Sequence, residues 1–178
     1  MADFERDQPP GIELLAAAIA APFPSPAAGA AVGAVTALAA ALVEKACALT
    51  KDGSLAAEGA TAGALRSASL WFAETDEEAF AGISRARRTG DDVGEAWAAA
   101  ARVPLGLAES CAELAGLAGA IVERANPRLR GELDTAILLA RAAGLAAAGL
   151  SLIDLDEAGD GYADDRARLS AVRARLGD

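Results

Sequence analysis

Between residues 14 and 43 the chain carries no charged side chain, and Pro22, Pro24 and Pro26 interrupt that stretch in its middle. A run so poor in polar groups must be enclosed by its own protein or by lipid. The prolines argue against lipid: they break the run, and the Ala/Gly helix that follows is only weakly hydrophobic, whereas a membrane span wants about 20 strongly apolar residues. Ala supplies 50 of the 178 residues and Gly another 18, so helices built from this chain present small side chains and allow close approach of neighbouring backbones. Ala, Leu, Glu and Arg favour helix, and no segment keeps the alternation of a strand. The chain is expected to be all-α: a multihelical antiparallel bundle of about seven or eight helices around a central Ala/Gly-rich helix, with residues 1–178 forming one domain.

Composition excludes several chemistries. There is no His, so a Ser-His-Asp triad, a Cys-His pair and His-ligated metal sites are ruled out. Cys47 and Cys111 are too few for a thiolate cluster or a disulfide scaffold. Both fall among Ala residues in helical stretches and read as small buried hydrophobes. Sixteen basic residues against 26 acidic leave a net charge of −10, a poor match to nucleic acid, whose affinity comes from neutralised phosphates. The first residues are acidic and lack the basic start of a secretory signal. A cytoplasmic protein with reduced cysteines is expected.

Punctuation divides the chain into helices over about residues 11–20, 27–49, 55–73, 76–88, 93–101, 104–125, 130–153 and 162–176. Thr75-Asp-Glu-Glu78 reads as a capping box. Pro104 reads as the first residue of a helix, and Asn126-Pro127 as a stop.

Several side chains stand out. Asp154, Asp156 and Gly159 begin like a calcium loop, but Ala158 and Asp165 occupy positions that should bear stronger ligands, so a solvated turn is the better reading and no metal is expected. Arg85, Arg87 and Arg88 form the densest basic cluster, at a helix end where cations are favoured; an anion site is the sharper alternative. Asp76 and Asp134 each fall near an expected helix start. They read either as acids facing a helix dipole or as carboxylates beside a cleft, able to move a proton or to stabilise a cation.

Four pieces in order resemble the cyclodeaminase/cyclohydrolase family of folate one-carbon metabolism. Pro24-Ser-Pro26-Ala-Ala-Gly29-Ala30, followed by a small-residue helix and Leu49-Thr50, is similar to its Pro-Thr-Pro-Gly-Gly-Gly-Ser … Leu-Thr signature. Asp76-Glu-Glu-Ala-Phe80 looks like its Asp-x-x-Ala-Phe. The segment from Ala100 through Pro104 to Leu105 looks like its Ala-x-x-Pro-Leu. Asn126 with Asp134, and Leu150 with Asp154, stand where it has Asn … Ser-Asp and paired Asn residues. The resemblance implies an all-α homodimer that binds a tetrahydrofolate derivative as substrate and needs no further cofactor. It implies chemistry at the carbon bridging N5 and N10: hydrolysis of 5,10-methenyltetrahydrofolate, or cyclisation of 5-formimidoyltetrahydrofolate with loss of ammonia. Carried over residue by residue, it makes Asp76 and Asp134 catalytic, and Pro26, Gly29, Thr50, Asn126 and Asp154 substrate-binding. The departures are Ala27, Ala28 and Ala30 in place of Gly, Gly and Ser, Leu133 in place of Ser, and Leu150 and Asp154 in place of Asn. They leave a second reading open, a catalytically degenerate relative that binds folate or another protein.

Overall fold

The computed structural model describes residues 10–23 and 27–177. Among the described residues six α-helices carry the fold: α1 (Pro10–Ala20), α2 (Ala28–Ala48), α3 (Ala56–Thr89), α4 (Val93–Ile121), α5 (Arg130–Ala158) and α6 (Ala163–Leu176). Two single 3-10 turns, Lys51–Gly53 and Pro127–Leu129, join α2 to α3 and α4 to α5. No strand forms among the described residues, in agreement with the all-α expectation.

The helices are fewer and longer than the sequence punctuation suggests. α3 runs through Thr75 without a break. Instead of capping, the Thr75 hydroxyl donates back to the Trp71 carbonyl at 3.2 Å. A Thr-x-x-Glu pattern also fits a helix interior, and no Gly or Pro stands between Ala64 and Ala81 to stop the helix. α4 likewise passes through Pro104. Proline has no N–H to give the Ala100 carbonyl, and its ring crowds that turn; the flanking Ala and Leu residues, buried at Ala100, Ala101, Leu105 and Leu107, carry the helix across it. Where the expected boundaries hold, their caps are visible. Gly90 ends α3 in the left-handed conformation (φ 78°), its N–H donating to the Ala86 carbonyl. Asp92 begins α4, its carboxylate accepting from the Glu95 N–H at 3.0 Å.

Small residues set how the helices meet. α2 and α3 are antiparallel: Gly33 faces the Ser69 backbone carbonyl, and Gly59 and Gly63 face Cys47 and Glu44. α4 and α5 are antiparallel as well, with Gly144 against Cys111 and Gly94 against the Ala158 carbonyl. The core has two lobes. One gathers Val43, Leu55, Leu114, Ile121 and Leu133. The other gathers Val32, Leu105, Leu107, Cys111, Leu155 and the α6 residues Leu169, Val172 and Leu176. Each buried Leu removes enough apolar surface to contribute about 2–3 kcal/mol, whereas the many buried Ala contribute mainly by letting backbones close up. α6 is tied down by buried Asp165, which accepts from Arg102 at 2.9 Å and from Arg168 at 3.3 Å. α2 and the helical stretch Pro127–Ala158 are long and apolar enough to cross a membrane by length and composition, and 56% and 39% of their most apolar 18-residue windows are buried inside the protein.

The Gly33 contact generates a stability prediction. A Cβ at residue 33 would lie 2.6 Å from the Ser69 carbonyl oxygen, a backbone atom that cannot turn aside. Gly33→Ala is expected to destabilise the protein by about 1–3 kcal/mol in urea denaturation. Gly149→Ala, where a Cβ meets nothing within 4 Å, should instead be neutral or add about 0.5–1 kcal/mol.

Candidate functional site

The antiparallel pairing of α2 and α3 lays Asp76 across the first turn of α2. A Cβ on residue 29 would collide with Asp76 Oδ2 and come within 3.0 Å of its Cγ. Glycine at position 29 is therefore what lets this carboxyl approach the α2 backbone. The same place is lined by Phe72 from α3, Val103, Pro104 and Leu107 from α4, and Leu150 from α5. It is a narrow cleft with room for about 10 Å³, the space of about one water.

Asp154 lies one turn beyond Leu150 on α5 and is only 5% exposed. Burial first, then the negative charges of Asp76 and Glu157, push its carboxyl up to about 6. Burial also raises the Asp76 carboxyl above its ordinary range. One turn before Asp154, on the same face of α5, the Ser151 hydroxyl is wholly buried and finds no hydrogen-bond partner. The cleft itself carries one carboxyl, Asp76, and, behind Pro104, a carbonyl that has lost its helical donor; Asp154 and Ser151 are buried on α5 beside the lining residue Leu150. Such a set accepts hydrogen bonds and favours positive charge, so the arrangement can hold a cation or move a proton.

The other expected site residues lie elsewhere. Thr50 and Asn126 meet just past the far end of the 21-residue α2, roughly 30 Å along the axis from Gly29. There the Asn126 N–H donates to Thr50 Oγ1 (3.0 Å), and the Thr50 hydroxyl donates to the Ala46 carbonyl (2.8 Å). The Asn126 side chain accepts from the Arg128 N–H (3.1 Å) and donates to the Leu49 carbonyl (3.4 Å). These bonds latch the α2–α3 and α4–α5 connections together beside an open groove lined by Lys51, Ser54, Arg124 and Arg128. Asp134 lies at the same end, near the start of α5, exposed and gripped by the Arg130 guanidinium at 3.1 and 3.2 Å. Within one chain, then, Gly29 and Asp76 come together, Asp154 lies buried one turn from the cleft-lining Leu150 where the charge of Asp76 acts on it, and Thr50, Asn126 and Asp134 do not join them. Pro26 falls outside the described residues.

Three other sequence features also find their places. The calcium-like spacing is not a loop, since Asp154 and Asp156 lie in the last turns of α5, and Asp156 pairs with Arg166 at 3.0 Å. Among the described residues no group of Cys, Asp and Glu is placed to hold a metal ion. Arg87 rests over the Trp97 ring at 5.9 Å. Cys111 is fully buried against the Thr36 hydroxyl (3.2 Å), and burial drives its thiol up to about 11. Ser151, Phe72 and Leu107 were not legible as site residues. Ser151 had one signal, a hydroxyl three residues before Asp154 on an otherwise apolar face.

Fold and cleft together define a helical-bundle protein with a carboxylate-lined pocket. The chain belongs to the formiminotransferase-cyclodeaminase family, which matches residues 11–167. A crystal structure of formiminotetrahydrofolate cyclodeaminase from Thermotoga maritima shares its fold, with a TM-score of 0.74 over 89% of each chain at 23% identity. No curated protein matches the chain.

The raised Asp154 carboxyl has a consequence for stability. Its folded value, about 6, lies above the ordinary 3.8, so the folded state binds the proton more tightly than the unfolded chain. The associated stability is fully present below pH 3.8 and is lost as pH rises through about 6. Asp154→Asn, which cannot ionise, is expected to be more stable than the parent at pH 8, by on the order of 3 kcal/mol. The gain should fade on going down to pH 4. Thermal unfolding of both proteins across this range measures it.

Proposed function

We propose that this protein is a folate one-carbon enzyme acting at the carbon that bridges N5 and N10 of tetrahydrofolate. It closes 5-formimidoyltetrahydrofolate with loss of ammonia, or opens 5,10-methenyltetrahydrofolate with water. Both reactions pass near an amidinium cation and require a proton to move. The observation that carries this reading is Asp76: a half-buried carboxyl with a raised pKa, held over Gly29 in an apolar cleft. Raised carboxyls of this kind serve as acids and bases near neutral pH. Because the cleft has so little room, the pteridine stands at its mouth and only the reacting atoms reach the carboxyl. Membership of the formiminotransferase-cyclodeaminase family supports the substrate class.

A homodimer is part of the proposal. Leu138 and Ile153 on α5 and Leu38 on α2 are 68%, 61% and 49% exposed, and a second copy would cover them. Ala27, Ala28 and Ala30 favour a second reading, in which the chain binds a folate without turning it over, because their methyl groups crowd the helix start beside Gly29.

The deciding assay mixes purified protein with each folate and follows the near-ultraviolet band of the methenyl compound. Turnover above the spontaneous rate is expected, and Asp76→Asn should lower kcat by about 100-fold or more with an unchanged far-ultraviolet circular dichroism spectrum. Parent-like kcat in Asp76→Asn would remove Asp76 as the proton carrier. Binding of 10-formyltetrahydrofolate without turnover of either substrate would establish the second reading.

A further inference from the structure

Two uncovered apolar surfaces of this chain complement each other. We propose that they meet between identical chains: α1 of each copy clamps the α2–α5 face of the other, with Glu13 paired to the partner's Arg141. The clamp specifies the homodimer stated above and rests on it, but not on the folate chemistry.

The first surface is α1. Its 11 residues include one acid, Glu13, and no basic residue. Leu15, Ala18 and Ile19 are half-covered, and α1 meets the rest of the chain chiefly through α2. The remainder of the helix is bare. Ile12 and Leu14, on either side of Glu13 in the chain, are more than half exposed, as is Phe23 just beyond the helix. A helix this short is marginal in water by itself, and one so apolar gains most from cover on its open side.

The second surface lies on α2 and α5. These two helices run antiparallel, since Gly29 meets Leu150 at one end and Thr50 meets Asn126 at the other. On α2, Ala34, Leu38 and Leu42 recur at helical spacing and are left half-covered or exposed, and residues 28–43 include no charge. On α5, Leu138 and Ile153 are exposed, and among the exposed residues from 135 to 153 the one charge is Arg141.

Charge decides what covers these surfaces. Each has a single charge, the two are opposite in sign, and among the described residues neither Glu13 nor Arg141 has an ion pair within its own chain. A lipid surface fits less well: helices that lie on membranes are rich in Lys and Arg, α1 has neither, and the chain carries a net charge of −10. Size agrees with a second copy. By helix rise and spacing, α2 and α5 side by side present a face of roughly 30 Å by 20 Å, and α1 adds a strip of roughly 16 Å by 10 Å. Together these approach the ~800 Å² that each partner contributes to a standard interface. Because both surfaces belong to one chain, the contact is self-complementary and closes as a two-fold pair.

Sedimentation equilibrium of the full chain tests the clamp. The parent is expected at twice the single-chain mass. Glu13→Arg and Arg141→Glu are each expected to raise the dimer dissociation constant by about tenfold or more, and the double reversal to return it close to the parent value. Ile12→Ser combined with Leu14→Ser should also raise it by about tenfold or more. Both side chains are exposed in the single chain, so the far-ultraviolet circular dichroism spectrum should not change. A parent that stays monomeric overturns the homodimer and the clamp together. A dimer that the charge reversals or the serine pair leave unchanged keeps the homodimer and overturns the clamp, as do single reversals that weaken the dimer without recovery in the double. Co-sedimentation of the parent with phosphatidylcholine vesicles, lost in the serine pair, would give α1 to a lipid surface and likewise overturn it.

Discussion

The closeness of the helix backbones underlies the rest of the structure. Gly33 admits the Ser69 carbonyl, Gly144 admits Cys111, and Gly29 admits the Asp76 carboxyl. At Gly33 and Gly144 a methyl group would push two helices apart, and at Gly29 it would displace the Asp76 carboxyl. A core rich in Ala and Gly gains less per residue from burial than a Leu core does, and it makes up the difference by close contact and by a backbone that readily forms helix. The same closeness has a chemical result. Because α2 and α3 approach so nearly at Gly29, a carboxyl on α3 is carried into an apolar cleft rather than left in water.

Electrostatics separates that cleft from the rest of this acidic molecule. Elsewhere among the described residues, buried or half-buried acids have cations. Asp165 is held by Arg102 and Arg168, and Glu58 by Arg124. Such pairing keeps a carboxylate charged at modest net gain. Among the described residues no cation pairs with Asp76 or Asp154: Asp76 lines an apolar cleft, and Asp154 is buried with the like charges of Asp76 and Glu157 acting on it. Burial of uncompensated charge is costly, and both carboxyls are pushed above their ordinary range. The bundle thus contains both solutions to the buried-acid problem, and the unpaired one is the one with chemical potential.

Much of the fold was legible from residues alone. The all-helical character, the enclosed α2, the turns at Gly90 and Asn126 and the buried cysteines follow from local propensity and patterning. The boundaries at Thr75 and Pro104 were not legible, because a capping box and a helix-initiating proline are also patterns that a long helix can absorb. Asp154 was misread as part of a solvated turn, since its acidic neighbours hide that it faces inward while Asp156 faces Arg166. Thr50 and Asn126 were legible as a pair belonging to a signature, and the structure gives them a visible task in latching two connections.

By itself, the sequence determined the class of fold, the small-residue faces, the absence of imidazole chemistry and the identity of the acids available for proton transfer. These are properties of residue types and of spacing along one helix, where each residue advances about 1.5 Å. Only the tertiary structure decided which of those acids share a place. Asp134 and Asp154 belong to one helix yet lie some 30 Å apart by its rise, whereas Asp76 and Asp154, 78 positions apart in the chain, come near enough for the charge of Asp76 to raise the Asp154 carboxyl. Contact between helices depends on where backbones can close. Here that was settled by Gly29, Pro104 and Leu150 meeting from three different helices, a coincidence that no spacing within a single helix encodes.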